Sequence, residues 1–281
     1  MNIIYLLGAG RSGTTLLATV LNANKNIVTV GEMHQFGDYL VEDKKCSCGE
    51  HLEKCSFWGS IMRELENVQQ ELRSLNTRIN KKENHRNIPY LLFKKKPDSE
   101  YLSVQEKIFE KIHKQCTETY LLDSSKYVAR YLLLSRSSKL KVKGLYVTRD
   151  VRGVVNSFSK NVQTTKKPVA TILYYLLINF FAQIVAWSDK RVLKVRYEDF
   201  VEDPLSQLSR IQLHIFGEED KQLTLSEEIK MPHIIGGNRM KHNKKINIYP
   251  DYKWKKSLNR KKQVLYYLVT LPFMVINRYK I

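Results

Sequence analysis

Residues 3–22 read IIYLLGAGRSGTTLLATVLN, and the reading of this stretch decides the fold. Ile3 to Leu7 is a short apolar run, the pattern of a strand buried on both faces of a parallel sheet. Gly8-Ala9-Gly10-Arg11-Ser12-Gly13 is a glycine-rich turn. From Thr14 onward, Leu16, Leu17, Val20 and Leu21 recur at helical spacing. A strand, a glycine turn and a helix N-terminus together make an anion site. Backbone N–H groups point into the turn, and the helix dipole favours negative charge there. Gly8 and Gly13 stand at the two glycine positions of a Walker A loop, which continues with Lys and then Ser or Thr. Here Gly13 is followed by Thr14 and Thr15, and the cation sits earlier, at Arg11. The turn suits a phosphate, but the lysine that clamps the outer phosphates of ATP is missing.

Working outward, the chain alternates strands and helices. Ile27 to Val30 reads as a second strand ending at Gly31-Glu32. Tyr120 to Leu122 is a short third strand, followed by Asp123-Ser124-Ser125-Lys126 and a helix over 127–135. Lys143 to Thr148 is a fourth, with Arg149-Asp150 at its end and a helix beginning near Val154. Val192 to Arg196 is a fifth, followed by Tyr197-Glu198-Asp199-Phe200, and Asp203-Pro204 caps and starts a helix to about Phe216. Such alternation predicts an α/β fold: a doubly wound, P-loop-like parallel sheet of about five strands with helices on both faces. The ends of parallel strands are where such sheets place their chemistry, which singles out Glu32 and Lys126.

The whole chain, 1–281, reads as one domain with two additions. Residues 35–118 look like a helical insertion over the sheet. Within it, Ile61, Leu65, Val68, Leu72 and Leu75 predict one helix, Asn76 to Lys96 a polar loop or lid, and Tyr101 to Cys116 a second helix. Residues 236–262 form a basic stretch, read as a flap that closes on an anionic cofactor; Asn238 and Arg239, just after Gly236-Gly237, are its candidate contacts.

Lys and Arg number 47 against 28 acids, a net charge of +19. That excess implies an anionic partner such as a phosphorylated cofactor, an acidic polymer or an anionic membrane. The first strand begins almost at Met1, and the expected location is the cytoplasm. Val169 to Ser188 carries no charge and approaches the length of a membrane span. Because it lies between two strands of the same sheet, the expectation is a buried or membrane-leaning helix. Three of the four cysteines fall in Cys46-Ser47-Cys48-Gly49-Glu50-His51-Leu52-Glu53-Lys54-Cys55. By ligand type this run could hold zinc, but its spacing is tight for one tetrahedral site, and a disulfide is less expected in a reducing compartment. The expectation is a local structural role without metal.

The run GAGRSGTTLL, the acid in VGEMHQF, the lysine in LLDSSK and the segment VTRDVRGVVNSFSK together resemble the PAPS-dependent sulfotransferases, closest to the carbohydrate and tyrosylprotein branch. Shorter likenesses continue at VRYEDFVEDP and HIIGGNRM, and the likeness is weak over 35–118. The resemblance implies that Gly10, Arg11, Ser12, Gly13, Thr14 and Thr15 bind the 5′-phosphosulfate of PAPS. It implies that Arg149, with Ser157 eight positions later, grips the 3′-phosphate. An arginine fork matches a phosphate dianion. It further implies that Glu32 is the general base, with His34 as runner-up, and that Arg11 and Lys126 stand against the leaving oxygen of PAP. The acceptor it implies is a hydroxyl on a sugar, a lipid-linked group or another alcohol. No metal and no nucleic-acid partner are expected, and peripheral membrane contact is. Two other readings compete: a P-loop-type nucleotide kinase, disfavoured by Thr14 where lysine belongs, and a non-enzymatic basic protein that binds membranes or polyanions.

Overall fold

The computed structural model describes residues 1–94, 96–160, 167–218, 225, 229–237, 239–243 and 245–281. Asn238 therefore lies outside the described residues. Five strands, β1 (Asn2–Leu7), β2 (Ile27–Gly31), β3 (Tyr120–Lys126), β4 (Lys141–Thr148) and β5 (Val192–Arg196), form one sheet in the order β2-β3-β1-β4-β5. β1 and β2 both pair in parallel with β3. Ile3, Ile4, Leu6 and Leu7 of β1 are buried. A strand covered on both faces reads as a continuous apolar run for this reason. Burying each such side chain stabilises by about 1.5–3 kcal/mol.

The helices are α1 (Thr14–Leu21), α2 (Phe36–Glu42), α3 (Trp58–Glu64), α4 (Glu66–Lys82), α5 (Ile88–Phe93), α6 (Ser99–Lys114), α7 (Val128–Leu134), α8 (Val151–Phe158), α9 (Pro168–Ser188), α10 (Tyr197–Glu202), α11 (Pro204–Phe216), α12 (Trp254–Ser257), α13 (Arg260–Val269) and α14 (Leu271–Ile276). The chain divides into two compact units. The first comprises Met1–Leu7, Thr15–Gly144 and Ser226–Ile246; the second comprises Gly8–Thr14, Leu145–Leu225 and Asn247–Ile281.

In the first unit the structure corrects the reading of 61–96. The single apolar stripe breaks at buried Leu65, whose ψ of −1° ends α3 and begins α4. Most of the expected loop over 76–96 is helix among the described residues: α4 runs on to Lys82 and α5 spans Ile88–Phe93. The cause is tertiary. Asn76 and Asn80, one turn apart on α4, both donate to Asp38 of α2 at 2.8 and 3.1 Å. Ile79, Ile88 and Leu91 are buried. β3 is also longer than expected and carries Asp123 to Lys126 inside it.

A fully buried arginine ties these helices to β3. Arg130 of α7 donates through Nε to Asp123 at 2.9 Å and through a terminal nitrogen to Glu83 at 2.6 Å. Tyr101 of α6 donates to the same Glu83 oxygen at 2.7 Å. Burial pushes the Glu83 carboxyl up despite the pull of Arg130.

The second unit holds α9, by length and composition long and apolar enough to cross a membrane. One face is buried and anchored by polar groups: Tyr146 donates to Asn179 at 2.7 Å, Tyr175 to the Arg149 carbonyl at 3.0 Å, and Lys194 to Gln183 at 2.6 Å. The other face exposes Val169, Leu173, Leu177, Phe180 and Trp187. Glu198 is buried and accepts from the Asp150 amide at 3.0 Å and the Tyr279 hydroxyl at 2.9 Å.

Replacing Arg130 with methionine would leave Asp123 and Glu83 buried without their cation. Arg130→Met is expected to lower unfolding free energy by about 3–5 kcal/mol, the usual loss for breaking a buried ion pair. The control is Arg191→Met at the half-exposed pair with Asp189, expected to cost no more than about 1 kcal/mol. Urea unfolding of the two variants checks this, and equal losses would remove Arg130 from its structural role.

Candidate active site

The glycine turn belongs to the second unit. Gly13 has φ +90°, and a Cβ there would lie 2.4 Å from the Tyr197 ring, so only glycine fits between the turn and that ring. Arg11 has φ +68°, a left-handed conformation that costs a residue with a Cβ about 1–3 kcal/mol and collects at functional positions. Its Nε donates to the Ser157 hydroxyl at 2.9 Å. The Gly10 amide donates to the Tyr174 hydroxyl of α9 at 2.9 Å. Ser12 has no exposed surface, and its hydroxyl has no hydrogen-bond partner among the described residues. Thr14 and Thr15 are buried at the start of α1.

Arg149 follows β4 in the same unit. Its guanidinium donates to the Arg11 carbonyl at 3.1 Å and to the Asp251 carboxylate at 3.1 Å, and stacks 4.3 Å over the Tyr197 ring. Burial alone would raise the Asp251 carboxyl, but Arg149 outweighs it and holds the group below its ordinary range. Of the two residues expected to grip one phosphate, Ser157 thus sits with Arg11 and Arg149 with Asp251. Arg239 lies in a short helical turn, Arg239–His242, of the first unit.

Glu32 and Lys126 lie in the first unit and form an ion pair. Glu32 follows β2 and is buried; its amide donates to the Ile235 carbonyl at 2.7 Å, and its second carboxylate oxygen accepts from Gln35 at 2.8 Å. Lys126 has φ +72°, so the two cations expected against the leaving oxygen, Arg11 and Lys126, both sit in the left-handed region. The loop after β2 is held to the end of β3: the His34 amide donates to Ser125 at 3.0 Å, and the Met33 amide to Asp123 at 3.4 Å. The His34 ring lies against Tyr127, centroids 4.3 Å apart.

Beside this loop opens a cleft of about 450 Å³ whose lining residues are all polar. Gln35 reaches from Glu32 into its wall, and Asp38, Asn80, Glu83 and Tyr127 complete most of it. His34 Nδ1 and Glu83 Oε2 are buried atoms in this wall with no partner among the described residues.

The family model for the sulfotransferase family matches residues 4–219. The chain belongs to the sulfotransferase family. The sulfotransferase domain from the curacin biosynthetic pathway aligns with 100% of this chain and 98% of its own, at 16% identity and a TM-score of 0.55. That likeness supports the fold. The sulfotransferase domain of the Synechococcus PCC 7002 olefin synthase is 19% identical over 79% of this chain and 75% of its own, with a TM-score of 0.49. Mouse sulfotransferase SULT7A1 complexed with PAP is 13% identical over 95% of this chain and 82% of its own, with a TM-score of 0.48. No curated protein sequence matches the chain.

Several residues around this sulfotransferase's candidate site gave no sequence signal. Gln35 is one of many surface-type glutamines until the turn brings it onto Glu32. Asp251 is the one acid in the basic stretch 238–262, which could have marked it as a partner for an arginine. His51 leaves the cysteine run and pairs with Asp43 at 2.9 Å. Its place is taken by His233, whose Nδ1 lies 3.2 Å from the Cys55 sulfur. No feature of the local sequence links His233 to those cysteines.

Proposed function

We propose that this sulfotransferase moves the sulfuryl group of PAPS to a hydroxyl of a saccharide or a comparably polar alcohol. The observation that carries the reading is the turn at 10–13. A buried hydroxyl without a partner, at a helix N-terminus with no Walker lysine, fits an anionic oxygen better than it fits any neighbouring protein group. PAPS supplies the activated sulfuryl group and a phosphate leaving group. The turn amides and the Ser12 hydroxyl hold the phosphosulfate end, and Thr14 and Thr15 extend that cradle. Arg149 and Ser157 hold the 3′-phosphate. The Asp251 carboxylate on Arg149 then stands where a phosphate oxygen would bind. Asn238 and Arg239 add contacts from the flap.

Sulfuryl transfer resembles phosphoryl transfer, with an in-line, loose transition state in which positioning and charge stabilisation dominate. Arg11 and Lys126 offset charge on the leaving oxygen. Glu32 takes the acceptor's proton, oriented by Gln35 and Lys126. His34 is the weaker candidate. Burial, with Lys126 and Arg130 nearby, holds its imidazole well below the ordinary range, so it accepts a proton poorly.

The cleft next to Gln35 supports this acceptor class. Amides, carboxylates, imidazoles and a phenol supply both donors and acceptors, and no aliphatic side chain lines it. Hydroxyl-rich ligands satisfy such walls, whereas a steroid or simple phenol would strip water from them without replacing the hydrogen bonds.

Arg149→Ala is expected to weaken PAP binding far more than binding of adenosine 5′-phosphosulfate, which lacks the 3′-phosphate. Calorimetric titration of both ligands checks this, and equal losses would remove Arg149 from the 3′-phosphate site.

Glu32→Gln keeps size and hydrogen bonding but removes basicity. It should lower kcat by roughly a hundredfold or more with PAP affinity nearly unchanged. His34→Ala should reduce kcat far less; the reverse pattern would move the proton to His34.

With labelled PAPS and a panel of oligosaccharides, polyols, phenols and sterols, transfer should be confined to the polyhydroxylated compounds. Asn80→Leu, on the cleft wall, should raise the KM for that acceptor and leave PAP affinity unchanged. Efficient turnover of phenols alone would refute the acceptor class while leaving the donor reading intact.

A further inference from the structure

We propose that Cys46, Cys48, Cys55 and His233 form a structural zinc site. The inference is independent of the sulfuryl-transfer reading, and all four residues lie in the first unit. The three cysteines come from the loop between α2 and α3. His233 arrives from a segment 178 positions beyond Cys55. The donor atoms of all four lie within 4.8 Å of one another. A tetrahedral zinc with its usual bond lengths sets sulfur–sulfur edges of about 3.8 Å and sulfur–nitrogen edges of about 3.5 Å. The Cys48 and Cys55 sulfurs are 3.7 Å apart, and Cys55 and His233 Nδ1 are 3.2 Å apart. These two edges match the ideal values to within a few tenths of an ångström.

The cysteine loop is pinned by its own backbone. The turn is closed by the Cys46 amide on the Glu50 carbonyl at 2.9 Å and the Gly49 amide on the Cys46 carbonyl at 3.0 Å. The histidine is positioned on its own side. Trp58 donates its indole N–H to the His233 carbonyl at 3.1 Å, and the Phe57 ring stacks on the imidazole. Three soft thiolates and an imidazole select zinc over magnesium or calcium, and four protein ligands leave no open position for catalysis. All four cysteines are free thiols in this structure, so no disulfide competes for the ligands.

The consequence is a staple. The cysteine loop and the segment around His233 are also joined by Ser47, which donates to the Pro232 carbonyl at 2.6 Å and accepts from the Ile234 amide at 3.0 Å. Two residues past His233, the Ile235 carbonyl accepts the amide of Glu32. A metal at the cysteines would therefore fix the backbone that carries Glu32.

The test is elemental analysis of the full chain, purified under reducing conditions without chelator. About one zinc per chain is expected. Cys48→Ser, at the exposed ligand, and His233→Gln should each lose most of it, while Cys116→Ser should keep it. Cobalt(II) added to chelator-stripped wild-type protein should give intense tetrahedral ligand-field bands with thiolate-to-metal charge transfer. Stripping should lower the Tm, and zinc should restore it. The wild-type stoichiometry and the cobalt spectrum do not depend on any variant folding. Essentially no zinc and no cobalt spectrum would overturn the site. So would zinc retained by both ligand variants, or a Cys48–Cys55 disulfide found by mass in the freshly isolated protein.

Discussion

A carboxylate with no exposed surface must be matched on every side, and Asp123 is the one on which the first unit turns. It sits in the middle of β3, three residues before Lys126 at the strand end, where parallel sheets present their chemistry. One oxygen takes the Arg130 guanidinium; the other takes the Ser125 amide and hydroxyl and the Met33 amide. Arg130 passes the same charge on to Glu83 and Tyr101. One buried acid thus connects the sheet to the loop bearing Glu32 on one side and to α4 and α6 on the other. A network of this kind need not add net stability, because desolvating each charge costs several kcal/mol. Its effect is specificity: any other register of α4 or α7 would leave a charge in the core.

In the second unit the same problem is solved with opposite sign. Arg11 donates to the Ser157 hydroxyl, and Arg149 to the Arg11 carbonyl and the Asp251 carboxylate. The Tyr197 ring lies under the Arg149 fork and also closes over Gly13. A cation stacked on an aromatic face keeps its in-plane N–H groups available. Donors fixed before a ligand arrives lose little entropy when it binds, which is how preorganised charge becomes transition-state stabilisation.

The parts of this molecule legible in the sequence are those governed by neighbours along the chain. β1, the glycine turn and the start of α1 are contiguous, and the apolar run of β1 reports its burial directly. The stretch 76–96 misleads because its composition is that of a loop. Asn76, Asn80 and Glu83 are polar for partners at positions 38 and 130, not for water. The cysteine run misleads in the same way: local spacing offers His51, and the fold supplies His233. Glu32 and Lys126 were legible as strand-end residues, but their pairing across 94 positions, and Gln35 between Glu32 and the cleft, were not.

The segment around Ile235 brings these threads together. β2 is an edge strand, and an exposed edge invites unwanted pairing. Here one parallel bridge between Gly31 and Ile235 covers it, with the Ile235 amide on the Val30 carbonyl at 3.2 Å and the Glu32 amide on the Ile235 carbonyl. The chain then turns away at once. Gly236 has φ +68°, its amide donates to the Tyr39 hydroxyl at 2.9 Å, and a Cβ there would lie 2.7 Å from that of Glu32. So short a contact has little adhesion of its own: a few backbone hydrogen bonds, each contributing about 0.5–1.5 kcal/mol net. The ordering of this crossing therefore depends on what holds its other end, and that end is His233, seated among three cysteines. In the base role proposed for Glu32, the carboxylate would tolerate little drift of its backbone. The zinc proposed at Cys46, Cys48, Cys55 and His233 would limit that drift most directly.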